Sequence, residues 1–317
     1  MMEGGEAMEG MTRRGFLKAA AVGAGALALA PLMPREGLAA GGVAFGTFEE
    51  APLFGPEKTA CRPVLGPGTR LSSVGGAPKS TSWYGKSIPS WWIKKSGQGV
   101  RISRCGRDVE GDEIDLVVTA RSVKHVYRDG YVDYSLMIDV CDEGGYGYPA
   151  EGEPICLDVV FLNGASLVLE MRWVKAGTSR AAAVSAYCTA YDVDVAGGTK
   201  AYAASLPHKG AEVVGLSPAA PCDAYLSAET ILSRSAATGE VWCPSKTEGG
   251  ATTAFDASSA AICSVAGSSL AVALSGAGSA KGQSKDYCCG MMIGWRAPAE
   301  YTAAPEKEGK VIADGGR

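Results

Sequence analysis

The sequence predicts an all-β protein, folded as an antiparallel β-sandwich, and three observations carry that expectation. Apolar and polar residues alternate with a period of two in several stretches. Clusters of Gly, Pro, Asp and Ser separate those stretches at spacings of roughly 10–15 residues. Helical periodicity is nearly absent after residue 40.

The elements follow in order. Residues 113–123 form the first strand-like run. In 131–140, Val132, Tyr134, Leu136, Ile138 and Val140 share one face, and Asp133, Ser135, Met137 and Asp139 the other. Residues 155–162 come next. In 165–175, Leu167, Leu169, Met171 and Trp173 point inward and Glu170 and Arg172 outward. The Ala-rich stretch 181–193 competes as a helix, but the alternation of Tyr187, Thr189, Tyr191 and Val193 favours a strand. A last run covers 286–295. Turn-rich stretches lie at 142–154, 196–198, 246–250 and 275–284.

The domain organisation expected is a leader signal over 1–40, an irregular Pro/Gly-rich and Trp-rich segment over 41–98, the sandwich over 99–298, and a disordered tail over 299–317. The tail is polar, and no apolar span that could cross a bilayer follows the leader.

Two resemblances sharpen this. Thr12-Arg13-Arg14-Gly15-Phe16-Leu17-Lys18, followed by small and apolar residues from Ala19 to Leu32, resembles the twin-arginine family of signal peptides. Arg13, Arg14, Phe16 and Leu17 are the matching core of that signal, which is expected to form a short helix. The resemblance implies passage through the twin-arginine translocase, an extracellular or cell-surface address, and often a cofactor inserted before export.

The second resemblance covers about 100–296. A strand ending in Tyr191 with Thr189, Asp192 and Asp194 spaced as Thr-x-x-Asp-x-Asp looks like the lectin-like, jelly-roll-like β-sandwich domains of Gram-positive surface adhesins. The Glu expected soon after that motif is absent, since Ala196-Gly197-Gly198-Thr199 follows. The resemblance implies the fold and a surface-associated role, and it carries over no ligand.

Composition limits the functions. The net charge is −4. The leader holds four basic and four acidic residues, so the balance is the same without it. No basic patch for nucleic acid is visible. The sequence holds ten cysteines, all after residue 60, with no Cys-x-x-Cys pair. In an exported chain that argues for disulfides over metal or cluster ligation. Cys141 and Cys156, at the ends of two strand-like runs across a Gly/Pro-rich loop, are the best candidates for a staple.

No catalytic residue can be assigned. The chain has two histidines, His125 and His208, neither in a nucleophile context, and it lacks Gly-x-Ser-x-Gly, phosphate-loop, haem and iron–sulfur motifs. Asp192 and Asp194 would share a strand face roughly 7 Å apart. Such a pair suits structural hydrogen bonding, Ca2+ ligation or an acid–base role. Ca2+ is the only ion this reading admits, and no cofactor is expected. Glu110-Gly111-Asp112-Glu113 reads as a solvated turn. Trp83, Trp91 and Trp92 either close the sandwich as core or, if exposed, make a binding face for sugar rings or protein.

The expected function is adhesion or binding of an extracellular glycan or protein ligand by a secreted or surface-associated sandwich. A carbohydrate-active hydrolase using acids near Asp192, or a structural envelope protein, are the alternatives.

Overall fold

The computed structural model describes residues 43–51, 61–80, 88–125, 136–145, 147–162, 165–193, 212–216, 222–236, 239–243, 257–276 and 288–296. The export motif, Trp83, Asp194 and the tail over 299–317 lie outside these residues.

The described residues form two β-sheets packed face to face, a β-sandwich, as expected. One sheet has nine strands, in the order β1 (Phe45–Thr47), β12 (Cys222–Leu226), β15 (Ala261–Gly267), β10 (Val184–Tyr191), β17 (Cys288–Gly294), β8 (Cys156–Leu162), β7 (Leu136–Cys141), β4 (Ser90–Trp92) and β3 (Lys79–Ser80). The other has eight: β13 (Ser233–Ser235), β14 (Glu240–Trp242), β11 (Glu212–Leu216), β16 (Ser269–Gly276), β9 (Ser166–Lys175), β6 (Glu113–Lys124), β5 (Gly99–Arg107) and β2 (Arg70–Val74). Neighbours pair antiparallel, except β1, which runs parallel to β12. Among the described residues no helix is long and apolar enough to cross a membrane.

The inner faces meet in one core. Leu116 and Val118 of β6 and Leu167, Leu169, Met171 and Trp173 of β9 face Ile138, Val140, Leu157, Val159 and Ile293 of the nine-stranded sheet. Trp173 meets Trp295 edge to face, with centroids 5.8 Å apart and planes at 80°, the arrangement ring quadrupoles favour. The inward set expected in β9 is thus the set observed, with Glu170 and Arg172 on the outside.

Two expectations need correction. Part of the segment read as an irregular leader is strand, since β1 to β4 all fall within 41–98. These strands are two to five residues long, too short to show alternation between prolines and glycines. The second concerns β7, whose polar residues implied a wet face. All six of its residues are buried, because a second apolar cluster, including Phe48, Ile88, Tyr187, Tyr191, Tyr225 and Met292, covers the outer face of the nine-stranded sheet.

Candidate functional site

The sequence-predicted residues do not converge. Trp91 is fully buried. Its Nε1 donates to Ser73 Oγ at 3.0 Å, so it ties β4 to β2 across the sandwich edge and offers no face to a ligand. Of the two readings, core or an exposed binding face, Trp91 takes the first, with Lys79 over the ring at 5.3 Å from the centroid. Trp92 is half-buried.

Asp192 follows β10 in a left-handed backbone conformation, φ 62°, and burial pushes its carboxyl up to about 6. The residue therefore does not continue the strand, and Asp194, its expected same-face partner, lies outside the described residues. Thr189 is buried, and its hydroxyl lies 3.5 Å from the carbonyl of Arg296.

Cys141 and Cys156 stand directly opposite each other across β7 and β8, as a hairpin staple requires. They are separate thiols in this structure, Cys141 Sγ lying 3.7 Å from the Cys156 carbonyl. Cys188 and Cys263 are opposite in the same way across β10 and β15. Cys61 Sγ lies 3.3 Å from where a Cβ on Gly106, the residue after Cys105, would stand. Burial pushes Cys61 and Cys156 up to about 12, so each is a poor thiolate.

The turn at 108–112 is more than a solvated loop. Asp108 Oδ1 accepts the backbone N–H groups of Glu110 and Asp112, at 3.0 and 2.9 Å. Lys175 Nζ contacts Asp108, Glu110 at 2.8 Å and Asp112 at 2.7 Å. These carboxylates are grouped closely enough to hold a metal ion, but the Lys175 ammonium supplies the cation among them. The hydrogen bonds it donates, first to Asp108, raise its pKa. Glu143 is clamped between Arg62 (2.5 Å) and Arg296 (Nε 2.9 Å). Burial opposes its charge, but the bonds and charges of Arg296 and Arg62 hold its carboxyl below the usual range.

The concave site lies on the outer face of the eight-stranded sheet, where sequence reasoning placed nothing. A cavity of about 420 Å3 is lined by Arg70, Arg101, Ser103, Arg104 and Asp115 and by the turn at Gly177. Its construction follows from register. Arg70 pairs with Ser103 and Ser72 with Arg101, so Arg70, Arg101 and Ser103 share a face by the period of two. A bulge between Ile102 and Gly106 sets Arg104 at φ 50°, a conformation that costs a non-glycine residue roughly 1–3 kcal/mol.

Asp115 holds the bulge. It is fully buried and accepts from Arg101 Nε (2.8 Å) and Nη2 (2.5 Å), from the Arg104 N–H (2.8 Å) and from the Gly177 N–H (3.0 Å). Arg101 Nη2 also donates to Thr178 O at 2.7 Å. Arg101 and Arg104 come from β5 and Arg70 from β2, with no spacing motif, and the pairing of β2 with β5 brings Arg70 to the other two.

No protein-family model matches the chain, and no curated protein does. Among solved structures the chain is similar to the N-terminal domain of the Streptococcus gordonii adhesin Sgo0707, at 8% sequence identity and a TM-score of 0.47. The alignment covers 80% of this chain and 64% of that one, so the chain spans less than two thirds of that domain's length. Neither residue roles nor a ligand transfers from it.

Proposed function

We propose that this protein is an exported, surface-associated or secreted β-sandwich that binds an extracellular ligand, in an adhesive rather than a catalytic role. The observation that carries the binding role is the arginine-lined cavity of about 420 Å3 on the outside of the sandwich, a size typical of small-molecule sites. The twin-arginine motif at Thr12–Lys18 supports export. Replacing Arg13 and Arg14 by lysine is expected to trap the full-length precursor inside cells of a twin-arginine-competent host, as followed by fractionation. Equal export of that variant would sink the route. Purified protein immobilised on beads is expected to retain a component of a glycan or extracellular-protein panel, and uniform failure would remove the adhesive role.

The export reading extends to disulfides. Opposed cross-strand residues have Cα separations of about 4.5–5.5 Å, within the span a disulfide bridges. In an oxidising compartment, the opposed pairs Cys141–Cys156 and Cys188–Cys263 are the expected bridges, and Cys61 with Cys105 is a further candidate. Each loses two protons and two electrons to a disulfide-carrying oxidant, which leaves as a dithiol. Non-reducing mass spectrometry of the exported protein is expected to find those linked peptides, and alkylation of all ten cysteines would refute the bridges.

One observation favours a hydrolase as the second reading. Burial holds the Asp192 carboxyl up to about 6, the direction a general acid requires. Turnover of a polysaccharide that is abolished in Asp192→Ala would establish it. Ca2+ held by Asp192 and Asp194 is the competing use of the same acids, and a melting temperature unchanged by chelator would remove it.

A further inference from the structure

We propose that the cavity between Arg70 and Arg104 is the subsite for the acid group of an anionic saccharide, a proposal that rests on the ligand-binding reading above. Its three arginines are not equivalent. Arg101 is neutralised by Asp115 and serves as a fixed wall. The Arg104 guanidinium pairs with Glu113 at 3.7 Å from its Nε, and both side chains are more than half exposed, at 61% and 51%; such a pair is weak. Arg70 spends Nη1 on the carbonyls of Pro67 (3.1 Å) and Thr69 (2.8 Å), which orients its fork and leaves its other N–H groups directed elsewhere. Two guanidinium groups thus face one concavity with donors to spare, in a protein whose net charge is −4. Planar forks of this kind bind carboxylate and sulfate bidentately.

The backbone supports the assignment. Arg104 is one of two non-glycine residues with positive φ among the described residues. The bulge re-aims its side chain along the lane beside Gly68, where a Cβ would come within 3.4 Å of Arg104 Cδ. Bulges and strained residues of this kind are concentrated where a side chain must be aimed.

An exposed aromatic ring stands outside the lining residues. Tyr148 is 43% exposed, one of two large hydrophobic side chains so exposed among the described residues, and the charge of Arg70 reaches its hydroxyl. It is the aromatic face available to a sugar whose acid group sits at Arg70, and the Ser103 hydroxyl in the lining offers a polar contact.

The test titrates the full-length protein with methyl glucuronide, methyl glucoside and inorganic sulfate, followed by calorimetry and by NMR shifts at low and high salt. The glucuronide is expected to bind, more weakly at high salt, and the uncharged glucoside to fail. Arg104→Lys is expected to weaken the glucuronide about tenfold by losing the fork, and Arg70→Ala/Arg104→Ala to abolish it. Arg104→Gly relaxes the backbone, so its loss of binding with an unchanged or raised melting temperature separates recognition from folding.

Sulfate binding without glucuronide binding would overturn the saccharide assignment. Silence from both probes, or binding unaffected in the double variant, would overturn the site. Adhesion that persists in the double variant leaves the broader function standing and removes this pocket from it. Glucuronide bound by a protein that adheres to nothing keeps the pocket and removes the adhesion.

Discussion

The two sheets of the sandwich use the same alternation to opposite ends. The middle of the nine-stranded sheet is buried on both faces. Its β7 and β10 have no exposed residue, and its outer side carries tyrosines, Phe48, Ile88 and Met292. The eight-stranded sheet is more open: over β2, β5, β6 and β9 its outer face displays Arg70, Arg101, Arg121, Glu170 and Arg172, joined by pairs such as Arg121–Glu170 at 3.1 Å, beside buried Asp115, Val117 and Val168. Strands covered on both faces are a scaffold, with no solvated surface on which to vary chemistry. The more open sheet can rearrange its exposed side chains without disturbing the core. The cavity is on that second sheet.

Three substitutions would break or sharpen this contrast. Trp173→Ala, in the shared core, should be the most damaging, at about 3–5 kcal/mol, read by denaturant unfolding. A loss below 1 kcal/mol would mean that the two sheets do not share one core.

Asp139→Asn tests the double burial. Burial pushes the Asp139 carboxyl up to about 7 against a hydrogen bond from Ser90, with Asp158 opposite it on β8 and no partner for Oδ1. The folded protein therefore keeps a proton that the unfolded chain releases near pH 4, and wild-type stability should fall as pH rises from about 4 to about 7. The Asn variant should match wild type at pH 4 and exceed it by roughly 4 kcal/mol at pH 8. An identical pH slope in the two proteins would show that Asp139 is solvated.

Arg172→Ala, on the open face, should change stability by under about 0.5 kcal/mol, since its side chain is 47% exposed and its Nε lies 3.9 Å from Glu170. Thermal melts in matched buffer are sufficient to check it.

How much of this was legible in the sequence depended on whether a signal was local. The strands at 113–123 and 165–175 were readable because ten or more residues alternated without interruption, and they appear as β6 and β9. The strands of 41–98 were not, because edge strands of two to five residues give period-two statistics nothing to act on. Alternation in β7 was real but misled about water, since it reports which residues share a face and not what covers that face. Trp91 shows the same limit, as nothing in its neighbours says that Ser73 waits across the sandwich. The cavity was the least legible feature. Its residues come from positions 68 to 177, and its aim depends on a bulge that no residue type announces.

The strand order has a consequence for how the protein must be made. β17, Cys288–Gly294, pairs with β10 on one side and with β8 on the other, yet it leaves the ribosome after both. Until it arrives, the nine-stranded sheet is split into two halves, each with a bare central edge. Translation at ~5–20 residues per second leaves roughly five to twenty seconds between the synthesis of β10 and of β17. Throughout that interval two open edges are available to any passing chain. Those edges close only when the last strand is made and slots between its two neighbours.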